Sequence, residues 1–151
     1  MSNKFMRMAI IEARKGIRNN EGGPFGTVIV KDGVVIAKGH NEVIKNQDPT
    51  CHGEMMAIRK ACKKLKTFDL SGAELYTTGE PCPMCLGAIL WANIDKVYFG
   101  CNKDDTEEIG FRDKVFYEKE ANRDEFIKEM DRKACQKLYE EYKNLENKTS
   151  Y

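Results

Sequence analysis

His52-Gly53-Glu54 and Pro81-Cys82-Pro83-Met84-Cys85 are the two segments of this sequence that most constrain its fold and its chemistry. Prolines are favoured in the first turn of a helix, whose N–H groups have no intrahelical partners. The second segment therefore predicts the start of a helix that runs to about Asn93. Two cysteines three residues apart in this first turn direct their thiols to the same side. A histidine at the start of another helix can supply a third ligand at the same point.

Three protein ligands are typical of a catalytic zinc site, which keeps its fourth position for water, whereas a structural site has four. The sequence therefore predicts one Zn²⁺ per chain, held by His52, Cys82 and Cys85. Two thiolates and a neutral imidazole balance the charge of Zn²⁺, which still lowers the pKa of a bound water. Glu54 can take a proton from that water and give it to a leaving group. Cys51 is a weaker candidate than His52 for the third ligand, because the spacing His-x-Glu, with Glu two residues after the ligand, is met only from His52.

Two other interpretations of the cysteine pair remain open. A Cys-x-x-Cys pair can be a redox motif or an incidental pair, but a redox pair has no need of the upstream His52-Gly53-Glu54. A non-catalytic zinc-binding module would use the same ligands, but it has no use for the acid of Glu54. Both alternatives therefore account for fewer of these residues than a catalytic zinc site does.

The rest of the chain predicts an α/β protein. Strands that alternate with helices favour a partly parallel sheet covered on both faces. Asp32-Gly33 between two apolar runs is a strong hairpin signal. The predicted elements are helices at about 4–18, 52–65, 81–93 and 126–145 and strands at about 25–30, 34–37, 74–78 and 96–100.

Length and charge limit the classes of protein to which the chain can belong. The 151 residues predict a single domain over 1–151, and a formal charge of +1 gives no electrostatic reason to expect nucleic acid or anionic lipid as a partner. The helix at 52–65 has a basic face that could contact phosphates, but the near-zero charge favours a solvated face. The sequence has no predicted membrane span, and its six cysteines fit packed thiols or metal ligands in a reducing, cytoplasmic setting.

The pattern His-x-Glu followed by Pro-Cys-x-x-Cys resembles the zinc signature of the cytidine deaminase superfamily. The similarity covers roughly residues 8–113. It implies a three-layer α/β/α sandwich around a mixed five-stranded sheet. One departure is Gly53, where relatives commonly have alanine, and a glycine in the first turn loosens a helix.

Within this superfamily the chain most resembles the bacterial guanine deaminase family. That resemblance implies a zinc-dependent purine aminohydrolase, in which Asn41 contacts the base, Asp113 recognises it and helps to move protons, and Tyr151 closes the pocket of its own chain or of a neighbour. It also implies a homodimer. The segments that carry the resemblance are Gly22–Gly26, Asn41, Asp48–Thr50, Glu80–Ile89, Gly110–Asp113 and Tyr151.

Several points stay open at this level. The same chemistry could act on adenosine in a tRNA anticodon or on a cytosine-type base or nucleoside, because the segment Glu80–Cys85 is shared with tRNA adenosine deaminases. Phe25 and Phe111 could stack on a base, whereas Trp91 is predicted to pack in the core. A second acid that moves protons could follow Asp113, at Glu129 or Asp131.

Overall fold

The computed structural model describes residues 3–151, which form four strands and seven α-helices. In chain order these are α1 (Lys4–Arg18), β1 (Gly26–Lys31), β2 (Val34–His40), α2 (Val43–Asn46), α3 (Gly53–Leu65), β3 (Ala73–Gly79), α4 (Pro83–Trp91), β4 (Lys96–Cys101), α5 (Lys103–Glu108), α6 (Asp113–Ala121), a 3-10 turn (Arg123–Glu125) and α7 (Arg132–Lys143).

Local sequence signals account for the first three elements. The Asn3 side chain accepts hydrogen bonds from the backbone N–H groups of Phe5 and Met6, which caps the start of α1. Between β1 and β2, Asp32 and Gly33 have φ angles of 51° and 74°, as the predicted two-residue hairpin requires. The predicted first helix and hairpin are therefore confirmed.

The sheet has the strand order β2-β1-β3-β4. β1 pairs antiparallel with β2 and β3, and β3 pairs parallel with β4, so the sheet is mixed as predicted. Val28 and Tyr76 pack on Ala9 of α1 on one face, while Ile29 and Leu75 pack against α3 and α4 on the other. Helices therefore cover both faces of the sheet.

The predicted fifth strand is wrong, because the described residues form a sheet of four strands in which β4 is an edge. The expectation of five strands came from the family resemblance. The residue pattern of the sequence itself predicts four strands. A fifth strand beside β4 would have to come from the segment after Cys101. That segment is rich in charge and folds into α5, α6 and α7.

Two further expectations need correction. Trp91 was expected in the core, but it is 67% exposed. It lies on α4, which is apolar on all sides, so the sequence pattern does not reveal which face is buried. The helix predicted over 126–145 is shorter, since α7 begins at Arg132 after a 3-10 turn and an irregular segment. No helix within residues 3–151 has the length and apolar character needed to cross a membrane.

Candidate active site

The starts of α3 and α4 meet beside the carboxyl end of β3. His52 is the residue that precedes α3, Cys82 precedes α4, and Cys85 lies in the first turn of α4. The Nδ1 atom of His52 is 3.6 Å from Sγ of Cys82 and 3.5 Å from Sγ of Cys85. The three ligand atoms all lie within 4.8 Å of one another. The structure therefore brings together the residues that the sequence predicts as metal ligands.

This arrangement fits a tetrahedral zinc ion. Zn–N distances of about 2.0 Å and Zn–S distances of about 2.3 Å place nitrogen and sulfur ligands roughly 3.6 Å apart. The hydrogen bond with Cys85 lowers the pKa of the Cys82 thiol to about 4, which favours the thiolate that zinc requires. Both cysteines also lie at a helix N-terminus, where the helix dipole stabilises negative charge.

Glu54 lies in the first turn of α3, one residue after the start of the helix, and is buried. Its Oε1 accepts a hydrogen bond of 2.8 Å from the hydroxyl of Thr77, whose oxygen accepts one of 3.2 Å from the hydroxyl of Thr27. Burial raises the pKa of the Glu54 carboxyl. A Cβ at Gly53 would lie 3.1 Å from Oγ1 of Thr27, so an alanine there would require Thr27 to shift by a few tenths of an ångström. Neither threonine was predicted from the sequence.

These groups open into a cavity of about 490 Å³. The cavity is lined by residues that are far apart in the chain. Cys85 is fully buried and is not part of the cavity wall. Arg112 and Phe116, which the sequence analysis missed, also line the cavity, with the Arg112 guanidinium 5.1 Å from the ring centre of Phe116. The sequence-predicted residues that line it are Phe25, Asn41, His52, Glu54, Cys82, Phe111 and Asp113.

The amide of Asn41 is held by the backbone around it. The side-chain Oδ1 accepts a hydrogen bond of 3.1 Å from the backbone N–H of Val43. The backbone N–H of Asn41 donates to the carbonyl of Phe25. Within residues 3–151, no acceptor is hydrogen-bonded to Nδ2 of Asn41. The side chain therefore presents two N–H donors at the wall of the cavity.

Asp113 is the first residue of α6, and it lines the cavity. Burial and the nearby negative charge of Cys82 raise the pKa of its carboxyl. The hydroxyl of Tyr117, one turn later on α6, donates to the carbonyl of Pro81. This bond fixes α6 to the segment that carries Cys82.

Two aromatic rings form part of the wall. Phe25 and Phe111 meet edge to face, with ring centres 4.9 Å apart. Tyr151 lies outside this cavity: its ring contacts Phe68 and Trp91, at 6.0 Å and 5.9 Å between ring centres. The structure therefore does not bring Tyr151 to the cavity of its own chain.

The two acids suggested as second proton carriers also lie outside the cavity. Glu129 and Asp131 belong to the irregular segment before α7, and both are exposed. Among residues 3–151, the carboxylates that line the cavity are those of Glu54, Glu80 and Asp113.

Comparisons with known proteins agree with this geometry. Residues 1–101 match the family model for the cytidine and deoxycytidylate deaminase zinc-binding region. Guanine deaminase of Bacillus subtilis (strain 168) is 50% identical over 113 residues, which are 75% of this chain and 72% of the relative. A tRNA-specific adenosine deaminase of Aquifex aeolicus (strain VF5) is 46% identical over 95 residues, which are 63% of this chain and 62% of that protein.

The fold is also shared over its full length with a solved structure. The X-ray structure of guanine deaminase from Bacillus subtilis superposes with a TM-score of 0.90 and 39% sequence identity, covering 100% of this chain and 99% of the other. The shared region includes the segments that carry His52, Cys82 and Cys85. The chain therefore belongs to the cytidine and deoxycytidylate deaminase family of zinc-binding enzymes.

Proposed function

We propose that this protein is a homodimeric hydrolase that converts guanine and water into xanthine and ammonia. The observation that carries this proposal is that one cavity contains both the zinc ligands with Glu54 and the polar side chains of Asn41 and Asp113. The first group suits the chemistry of deamination, and the second suits recognition of a base with N–H groups and acceptors on its edge.

Glu54 acts as the proton carrier of the reaction. When Zn²⁺ is bound, it supplies a water of lowered pKa at its open coordination position. The Glu54 carboxylate takes a proton from the water that attacks C2 of guanine and returns it to the amine that leaves as ammonia. Burial raises the pKa of this carboxyl, which helps it to hold the proton between the two transfers. The Thr77 hydroxyl fixes its orientation.

Asn41 and Asp113 recognise opposite parts of the base. Guanine presents acceptors at O6 and N7, and the N–H donors of Asn41 suit either of them. It presents donors at N1 and at the C2 amine, and the Asp113 carboxylate suits these. Phe25 and Phe111 add apolar wall that suits the flat faces of a purine.

The homodimer is supported by apolar surface that the single chain leaves uncovered. On α4, Leu90 and Trp91 are each 67% exposed, and on α7, Leu138 is 60% exposed. Large apolar side chains that stay exposed in the single chain suit burial against a partner chain. The ring of Tyr151 lies beside that of Trp91, and in the proposed dimer it covers the cavity of the partner.

Replacing Asp113 by asparagine is expected to lower kcat/KM for guanine roughly 10²-fold, because an amide cannot accept from both N–H donors as a carboxylate does. Zinc content should remain at one ion per chain. Steady-state kinetics beside metal analysis check both points. Guanine kinetics like those of the wild type would remove Asp113 from base recognition.

Deleting Tyr151 is expected to lower guanine turnover roughly tenfold, because an aromatic lid excludes water from the cavity and holds the base in place. Zinc content and thermal stability should stay close to the parent, since Tyr151 is 79% exposed. Light scattering on both proteins should give the mass of a dimer of 17.3 kDa chains. Full activity of the truncated enzyme would contradict the lid, and a monomer would contradict the dimer.

A substrate panel tests the proposed reaction against its rivals. Ammonia release is measured with guanine, adenine, cytosine, cytidine and a tRNA anticodon stem-loop that contains adenosine. Guanine should be the preferred substrate. Preference for the stem-loop would assign a tRNA adenosine deaminase, preference for cytosine or cytidine would assign a pyrimidine deaminase, and no release from any of them would overturn the proposal.

A further inference from the structure

A buried ion network lies directly behind one wall of the cavity. His40, the last residue of β2, immediately precedes Asn41, and its side chain is 13% exposed. Its Nδ1 is 3.1 Å from Oε2 of Glu12 on α1, and its Nε2 is 2.5 Å from Oε2 of Glu21 in the loop between α1 and β1. The imidazole therefore bridges three segments of the chain that are distant in sequence.

Both ring nitrogens of this imidazole are engaged by carboxylates. Burial raises the pKa of the Glu12 carboxyl, but hydrogen bonds from His40 and Lys15 outweigh burial and leave that pKa below its usual range. The hydrogen bond from His40 also lowers the pKa of Glu21. The imidazole therefore connects Glu12 on α1 to Glu21 in the loop that follows α1 through its two nitrogens.

Further charged groups surround this imidazole. Oε1 of Glu42 lies 4.0 Å from Nε2 of His40 and supplies a third carboxylate. Lys15 pairs with Glu12 at 3.0 Å, and Lys45 pairs with Glu42 at 3.1 Å. Replacing the imidazole removes the hydrogen-bonding group that Glu12 and Glu21 share, among side chains that are largely buried. We call this set the His40 network: Glu12, Lys15, Glu21, His40, Glu42 and Lys45.

Two of the segments that line the cavity directly follow members of this network. Glu21 is followed by Gly22 and Gly23, and His40 is followed by Asn41. These two segments are in close contact, since a Cβ at Gly22 would lie 2.1 Å from Oδ1 of Asn41. The network therefore holds the glycine segment and the Asn41 segment at one fixed separation.

The carbonyl of Glu21 adds a second connection to the same wall. It accepts hydrogen bonds of 3.0 Å from the N–H groups of Ile44 and Lys45, at the start of α2. Ile44 also lines the cavity. Movement of Glu21 would therefore displace α2 together with the glycine segment.

We propose that His40 is a positioning residue for substrate binding: by joining Glu12 and Glu21 it fixes Asn41 and the Gly22–Gly23 segment, and so sets the affinity of the cavity for the base. The proposal rests on the proposed function, because it takes guanine as the base. His40 touches neither the zinc ligands nor Glu54, so its effect falls on binding and not on the chemical step.

The test replaces His40 by glutamine, which keeps one hydrogen-bonding amide and removes the ring that joins Glu12 to Glu21 through two nitrogens. KM for guanine should rise roughly tenfold, because small displacements of binding groups are costly, while kcat stays within about twofold. Zinc should remain at one ion per chain. A residue that only supports the fold would lower thermal stability and the active fraction, with KM unchanged. An unchanged KM overturns the proposal, whatever the melting temperature does.

Two further variants make the result independent of how His40→Gln folds. Glu21→Gln removes the partner of Nε2 from the loop and should raise KM roughly fivefold. The double variant His40→Gln, Glu21→Gln should raise KM no more than His40→Gln alone, because residues that act as one unit are not additive. If the increases in KM of the two single variants add up in the double variant, the proposal is overturned. If His40→Gln is insoluble, a normal KM in Glu21→Gln overturns the proposal.

A binding measurement separates this proposal from the proposed reaction. Equilibrium dialysis with radiolabelled guanine is carried out in the Glu54→Gln background, with and without His40→Gln, and Kd should rise roughly tenfold. If the wild type binds guanine without deaminating it, the proposed reaction is wrong, and the ratio of the Kd values with and without His40→Gln still decides the role of His40. Absence of guanine binding overturns both the proposed reaction and the role of His40.

Metal analysis of the wild type provides the last control. The side chains of Glu21, His40 and Glu42 are close enough to hold a metal ion. Lys45 lies 3.8 Å from Glu21 and 3.1 Å from Glu42, so an ammonium group supplies positive charge there. Zinc at one ion per chain supports the positioning role. A second ion per chain that is lost in His40→Gln would assign the network as a metal site and overturn the proposal.

Discussion

Replacing Glu54 by glutamine should lower kcat for guanine roughly 10²–10⁴-fold, while the zinc content stays at one ion per chain. Glutamine has nearly the same shape and can still accept the Thr77 hydrogen bond through its amide oxygen. It cannot take a proton from water and give it to the departing amine. Since this loss falls on the chemical step, KM should change little.

The matched control for this variant is Glu74→Gln. Glu74 lies on β3, outside the cavity, and its Oε2 accepts a hydrogen bond of 2.9 Å from the hydroxyl of Tyr76, much as Glu54 accepts one from Thr77. The control should deaminate guanine at the wild-type rate. Near-normal turnover by Glu54→Gln would mean that another group carries the proton, and an equal loss in both variants would mean that the effect is structural.

Replacing Cys85 by alanine is expected to remove zinc and, with it, guanine turnover. Cys85 is fully buried, and its Sγ lies 3.5 Å from Nδ1 of His52. With two ligands left, the site has lost a thiolate that contributes both binding energy and negative charge, and metal affinity should fall by more than about 10²-fold. Metal analysis after dialysis should therefore find far less than one zinc per chain.

Cys51→Ala is the matched control for that experiment. Cys51 is also buried and directly precedes His52, but its Sγ accepts weak hydrogen bonds from Asn46 and Arg59 and does not belong to the ligand cluster. The control should keep its zinc and its activity. Full zinc occupancy in Cys85→Ala, or loss of zinc in Cys51→Ala, would contradict the ligand assignment.

Much of the fold could be predicted because its signals are local. The helical spacing of apolar residues predicts α1 with the correct bounds, and Asp32-Gly33 predicts the β1–β2 hairpin. The zinc ligands are equally local, since His52 and the Cys82–Cys85 pair each stand at the start of a helix. Only the distances between these ligands required knowledge of the tertiary structure.

The features that could not be predicted depend on which surfaces pack together. The helix α4 is apolar on every side, so nothing in its sequence assigns Trp91 to the surface. The positions of Glu12, Glu21 and His40 follow no helix or strand period, and only the pairing of β1 with β2 and the packing of α1 bring them into one network. The sequence left open whether Tyr151 covers the cavity of its own chain or that of a neighbour. On its own chain Tyr151 lies against Phe68 and Trp91, so closure of the neighbour's cavity stays a prediction.

The most direct test of the central claim is a single incubation of the zinc-loaded wild-type enzyme with guanine in water enriched in oxygen-18. The product should be xanthine that carries one heavy oxygen, formed at C2, together with one equivalent of ammonia. This result would show that the oxygen of water replaces the amine of guanine. Recovery of unchanged guanine, or of xanthine without the label, would contradict the proposed reaction.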